Sequence, residues 1–168
     1  YVRVSGGLFL DKAIHDFDMA RYLVGSDITT VSAVGAVLVN PEIGDAGDID
    51  TAVTTLQFAN GALGTIEASW VQTGGHGGGF EITGSQGTLF EHADKGYMIA
   101  APGKDPKPVA EATARPTQVD RLVAAITGEV TRKELDADLR CAIEAVAIME
   151  ACYESNRSGG WVDVRQAG

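Results

Sequence analysis

Hydrophobic and polar residues recur with a helical period over the first 25 positions. At 3.6 residues per turn, Leu10, Ile14, Phe17 and Val24 fall on one stripe, with Asp11, His15, Asp18 and Tyr22 on the stripe beside it. The pattern predicts one helix from Leu8 to Val24, ended by Gly25, which is free to take the positive φ of a C-cap. Ile28 to Asn40, rich in Val and Thr, predicts a long strand. Pro41 to Asp50 reads as a solvated acidic loop, since Asp45, Asp48 and Asp50 lack the spacing of an EF-hand. Asn60-Gly61 between two β-patterned arms, Thr51 to Ala59 and Ala62 to Val71, predicts a two-residue type I′ hairpin.

Short strands follow at Phe80 to Thr83, Thr88 to His92 and Tyr97 to Ala100, with Gly84 to Gly87 as a turn. Ala101 to Thr113 carries three prolines and reads as extended surface chain. Thr117 to Thr127 places Val119, Leu122, Val123 and Ile126 at helical spacing before Gly128. A second helix, Asp136 to Arg157, has Asp136 as N-cap and Leu139, Ile143, Val146, Met149 and Tyr153 on one face. Met149 and Tyr153 read as core rather than cofactor contacts. Trp161 to Val164 completes the chain as a strand. A helix, a run of strands and two helices make an α+β pattern: an open, largely antiparallel sheet with helices on one face.

Composition narrows the class without changing this picture. At 168 residues and 45% hydrophobic the chain can bury one real core, and no repeat is evident. A net charge of -10 with no Lys/Arg cluster argues against nucleic acid and anionic membranes as partners. Apolar runs are far short of a membrane span and nothing resembles a signal peptide, so a cytoplasmic location is expected. Cys141 and Cys152 share one predicted helix, roughly 16 Å apart, beyond disulfide reach, and read as two buried free thiols.

The candidate chemistry lies on the first helix. A carboxylate at Asp11 sits one turn from the His15 imidazole and can reach it and fix its tautomer, the orientation device of acid–base catalysis; the same spacing also describes an ordinary exposed pair. Asp16 is turned by about 100° from His15 and either lines the same pocket or bonds to backbone or a neighbouring helix. Asp18 shares the His15 stripe, and Tyr22 sits at an amphipathic edge. His76, in the glycine-rich run Gly74 to Gly79, is a second candidate or a solvent-exposed loop histidine, while His92 reads as surface. A metal site on Asp11, His15 and His76 is a thinner alternative, and a non-catalytic assembly or substrate-side module is another.

The run GGLFLDKAIHDFDMARYLVG, with GALGTIEASW and FEITGSQGTL further on, resembles the second domain of the Gfo/Idh/MocA family of NAD(P)-dependent sugar and cyclitol dehydrogenases. Within that family it looks most like the inositol 2-dehydrogenases. The resemblance implies that Asp11 and His15 belong to a catalytic Lys–Asp–His triad, His15 taking the hydroxyl proton while hydride passes to the nicotinamide of NAD or NADP. It also implies that an aromatic residue near the position of His76 touches the polyol, and that a histidine stands in its place here. The chain opens on Tyr1 and holds no GxGxxG that follows a strand and opens a helix. It therefore reads as the C-terminal, substrate-binding and oligomerising half of such an enzyme, with the nucleotide domain and the triad lysine expected before Tyr1. The family's free sheet face is used for oligomer contacts, which implies a dimer or tetramer, and Ile66, Ala68 and Trp70 are the positions expected to serve it.

Overall fold

A computed structural model describes residues 1–71, 79–92, 94–109 and 116–165. The chain divides into two units, Tyr1–Gln72 with Gly128–Gly168, and Thr73–Thr127.

The first unit begins with a helical turn α1 (Val2–Ser5), then a π-helical segment Leu8–Ala13 that runs on into α2 (Ile14–Val24). The buried stripe is Leu8, Phe9, Ala13 and Phe17. It is offset from the predicted one because the π turn inserts extra backbone before the α-helical register begins. Leu10, Ile14 and Val24 are only partly buried. As expected, Gly25 ends α2 in the left-handed region, its N–H donating to the Arg21 carbonyl.

Strands β1 (Ile28–Ala36), β2 (Thr51–Phe58) and β3 (Leu63–Ser69) form an antiparallel sheet that β8 (Val162–Asp163) completes in the order β3-β2-β1-β8. Ile28, Val31, Ala33, Ala52, Leu56, Phe58 and Ala68 face the helices and are buried. Each Ile, Val, Leu or Phe of this set contributes roughly 2 kcal/mol of burial. The predicted strand from Ile28 stops at Ala36, not Asn40, because the Asp50 carboxylate takes the next backbone donors. It accepts from the N–H groups of Leu38 at 2.9 Å and of Val39 and Asn40 at 2.8 Å, and from the Thr51 hydroxyl at 2.9 Å.

The acidic stretch is solvated only in part, with Pro41, Glu42, Gly44, Asp45 and Gly47 exposed. Asp50 is fully buried, and Pro41–Asp45 forms a short helix, α3, capped by the Asn40 side chain. The donors around Asp50, the Leu38 N–H foremost, hold its carboxyl down to about 2 from an ordinary 3.8. A depressed carboxyl contributes stability that is complete above its unfolded value and is lost as pH falls through the folded one. Wild-type Tm should accordingly fall between about pH 4 and pH 2. Asp50→Asn should melt roughly 5 °C lower at pH 7 and show a shallower acid limb, read by thermal denaturation across that range.

The β2–β3 connection is a three-residue loop, Ala59-Asn60-Gly61, rather than a type I′ pair. Only Gly61 takes positive φ, +87°, while Phe58 and Ala62 close the loop through Phe58 N–H to Ala62 O at 3.0 Å. Asn60 keeps negative φ, accepts from the Ala62 N–H and bonds through its own N–H to the Ser26 hydroxyl. The pairing that results, Gln57 with Leu63 and Thr54 with Ile66, turns Ile66, Ala68 and Trp70 toward the core. They are not the free face. That face exposes Val34, Val53 and Leu63 instead.

Helix α5 (Arg132–Ser158) starts four residues before the predicted Asp136 because Thr131 and Glu134 form a capping box. Its buried stripe is Ala145, Ile148, Met149, Cys152 and Ser155, whereas Leu139 and Ile143 of the predicted face are at least half exposed. The last turns of α5 close the edge of β1 beyond β8. Ser155 Oγ accepts from Ala33 N–H at 2.8 Å, and Asn156 Oδ1 from Gly35 N–H at 2.7 Å. Cys152 is buried, its thiol pushed up to about 12 by desolvation, but Cys141 is exposed.

The second unit holds β4 (Glu81–Gly84), β5 (Gly87–His92), β6 (Gly96–Ala100) and β7 (Lys107–Pro108), antiparallel in that order, and α4 (Gln118–Thr127). The first three strands match expectation to within a residue or two. Lys107–Pro108 pairs with β6, so part of the expected extended segment is a strand. Phe80 stacks on Tyr97 with centroids 5.0 Å apart. His92 is half-buried rather than free at the surface, its Nδ1 accepting from the Asp94 N–H. Among the described residues no helix is long and apolar enough to cross a membrane.

Candidate functional site

The candidate site lies on the π turn and the first turns of α2. Gly6 and Gly7, at φ +93° and +83°, bend the chain so that the helix starts against the acidic loop. There the Asp48 carboxylate acts as cap: its Oδ2 accepts from the Leu8 N–H at 2.8 Å and from the Trp70 indole N–H at 3.1 Å. The Tyr153 hydroxyl accepts from the Phe9 N–H at 3.3 Å and lies 3.1 Å from both Asp48 Oδ1 and the Gly6 carbonyl. Burial, with Asp48 beside it, pushes the Tyr153 phenol well up from its ordinary range. Tyr153 also packs edge-on to Phe9 at 4.8 Å. Sequence reading assigned neither Asp48 nor Tyr153 to this cap, because their partners lie 40 and 144 residues away.

Asp11 is half-buried on the π turn and accepts from the Tyr1 hydroxyl at 2.5 Å. No hydrogen bond joins it to His15, which is exposed and makes none among the described residues. The Asp11 carboxylate is engaged by the Tyr1 hydroxyl instead. The two groups share the same stretch of helix but are not locked together. Lys12, half-buried, donates to the Ser69 carbonyl at the end of β3.

Asp16 lies next to His15. Desolvation by the surrounding chain raises its carboxyl, against the opposing pull of His15 and then Lys12. A carboxyl raised by folding stabilises the protein fully below its unfolded value and loses that contribution as pH rises through the folded one. Asp16→Asn should therefore gain a degree or two of Tm at pH 7 while weakening any ligand that uses the carboxylate, checked by paired melting and binding curves. Asp18 is exposed, 3.9 Å from Arg21. The Arg21 guanidinium ties α2 to α5 through Glu144 and to Asp27 at 2.8 Å.

His76 lies outside the described residues, as does the glycine-rich run up to Gly78. No group of three His, Cys, Asp or Glu among the described residues could hold a metal ion. The Gly6-Gly7 pair does not cradle a dinucleotide phosphate either, because the Leu8 and Phe9 N–H groups are already taken by Asp48 and Tyr153.

Residues 2–164 match the family model described as the oxidoreductase family, C-terminal alpha/beta domain. The chain is 54% identical over 90 residues to the myo-inositol 2-dehydrogenase of Thermotoga maritima, covering 54% of this chain and 27% of that enzyme. It is 44% identical over 90 residues to the scyllo-inositol 2-dehydrogenase (NAD(+)) of Bacillus subtilis, 54% of this chain and 26% of that one. The solved myo-inositol dehydrogenase of Corynebacterium glutamicum superposes with a TM-score of 0.62 at 26% identity, over 99% of this chain and 52% of that one. The chain thus spans about half the length of that solved relative, and its alignments cover about a quarter of the curated ones. With a match from residue 2 to residue 164 and a fold shared with a solved dehydrogenase, the chain belongs to the oxidoreductase family, as its C-terminal alpha/beta domain.

Proposed function

We propose that this chain is the substrate-side half of an NAD- or NADP-dependent dehydrogenase, acting in the cytoplasm, that oxidises a secondary hydroxyl of a cyclitol or sugar, inositol foremost. The observation that carries the reading is the exposed His15 imidazole in the first turn of α2, without a hydrogen bond among the described residues, with Asp11 on the capped π turn before it and Asp16 beside it. Such an imidazole can take the hydroxyl proton as a general base. Asp11 would stabilise the imidazolium by charge from nearby. Asp16 would accept substrate hydroxyls, and His76 is the other residue we assign to the substrate. Accepting the hydride would be the nicotinamide's chemistry; the part of these residues is the proton and the polyol. The uncovered sheet face bearing Val34, Val53 and Leu63 is the one we assign to a homo-oligomeric contact, dimer or tetramer.

The test is turnover by the full-length gene product on myo-inositol and a panel of sugars with NAD and with NADP, wild type against His15→Ala. Nucleotide reduction by a polyol that His15→Ala abolishes supports the reading. Reduction of neither nucleotide by any polyol overturns it and favours a non-catalytic assembly module.

A further inference from the structure

Lys12 stands between the two candidate carboxylates, one residue after Asp11 and four before Asp16. A lysine on a solvent-facing turn ordinarily extends its ammonium into water. Here the side chain is half-buried, and the ammonium donates to the Ser69 carbonyl where β3 ends. The Ser69 hydroxyl is itself engaged with Val71, donating to its carbonyl at 3.0 Å, so the strand end is a fixed point. One ammonium hydrogen spent on Ser69 leaves two. Residues four apart on a helix are neighbours, and Lys12 acts on the Asp16 charge.

We propose that Lys12 is the positioning residue of this site: its ammonium clamps the π turn to the end of β3 and sets a fixed positive charge beside the Asp16 carboxylate. The clamp decides where Asp11 and His15 stand relative to the sheet. The charge favours an Asp16 that accepts hydrogen bonds from a polyhydroxy substrate over one that is protonated. Among the described residues the groups acting on Asp16 are His15 and Lys12, both on its own run of helix, and Ser69 brings only a neutral carbonyl from β3. The substrate's part in this rests on the oxidoreductase reading, whereas the clamp and the charge do not.

Three variants of the full-length product separate the two effects. Lys12→Met removes donor and charge, Lys12→Gln keeps a donor without charge, and Lys12→Arg keeps both. The side-chain carboxyl of Asp16, followed by carbon NMR through a pH titration, should titrate at higher pH in Lys12→Met and Lys12→Gln and return toward wild type in Lys12→Arg. Amide exchange over residues 8–13 should quicken in Lys12→Met and stay slow in Lys12→Gln. In turnover, KM for the polyol should rise about fivefold in Lys12→Met with kcat within about twofold, and recover in Lys12→Arg. An Asp16 titration that is the same in wild type, Lys12→Met and Lys12→Gln overturns the charge role, and unchanged exchange in Lys12→Met overturns the clamp. Both readouts need no turnover, so they stand apart from any failure of His15→Ala to affect catalysis.

Discussion

Replacing His15 by alanine in the full-length protein should lower kcat at least a hundredfold and leave the melting temperature within about a degree or two of wild type. The two halves of that expectation come from the same fact. The imidazole is exposed and holds no hydrogen bond among the described residues, so its removal breaks nothing that supports the helix. A positioned base contributes on the order of 10²–10⁴ in rate, and it acts in the transition state. The loss should therefore appear in kcat with KM little changed. Asp11→Asn should lose less, since Asp11 acts by charge and not by a bond to His15. Unchanged turnover in His15→Ala would remove this residue from the chemistry.

Gly7→Ala should be the most damaging small substitution in the first unit. Gly7 sits at φ +83° and ψ -176°, a region open essentially to glycine alone, where a side chain costs roughly 2 kcal/mol. A Cβ there would lie 2.2 Å from the Tyr153 hydroxyl and 2.5 Å from Asp48 Oδ1. Both groups cap the π turn, and displacing them adds roughly another 1 kcal/mol for the lost cap. A total of about 3 kcal/mol corresponds to a Tm lower by roughly 6–12 °C in a chain of this size. Gly25→Ala is the control: its φ is +66°, but nothing lies within 4 Å of the added Cβ, so only the backbone cost applies. Equal melting temperatures for the two variants would show that the Asp48–Tyr153 cap contributes nothing. Turnover of Gly7→Ala should fall as well, because the π turn carries Asp11.

Much of the element order was legible from periodicity and turn chemistry. Gly25 and Gly128 follow the helices they were expected to end, and Phe80 to Ala100 pairs as read. The errors have local causes. The capping box of Thr131 and Glu134 starts α5 ahead of Asp136, which lies inside the helix. The hairpin signal Asn60-Gly61 was sound for a turn but not for its type. Asn60 N–H bonds to Ser26, 34 residues away, and the turn that forms leaves Asn60 at negative φ. One extra loop residue then turned Ile66, Ala68 and Trp70 from the expected free face to the core.

The site divides in the same way. By itself the sequence determined that Asp11, His15 and Asp16 share one stretch of helix, because periodicity is a local property and a resemblance in GGLFLDKAIHDFDMARYLVG follows that local order. Only the tertiary structure decided how that stretch is held. Asp48, Tyr153 and Ser69 reach it from a loop, the far helix and a strand end. Together with the two glycines before it they hold the stretch where it begins as a π turn. Buried backbone donors take whichever acceptor the fold brings near, and that choice carries no signature in the residues that are chosen.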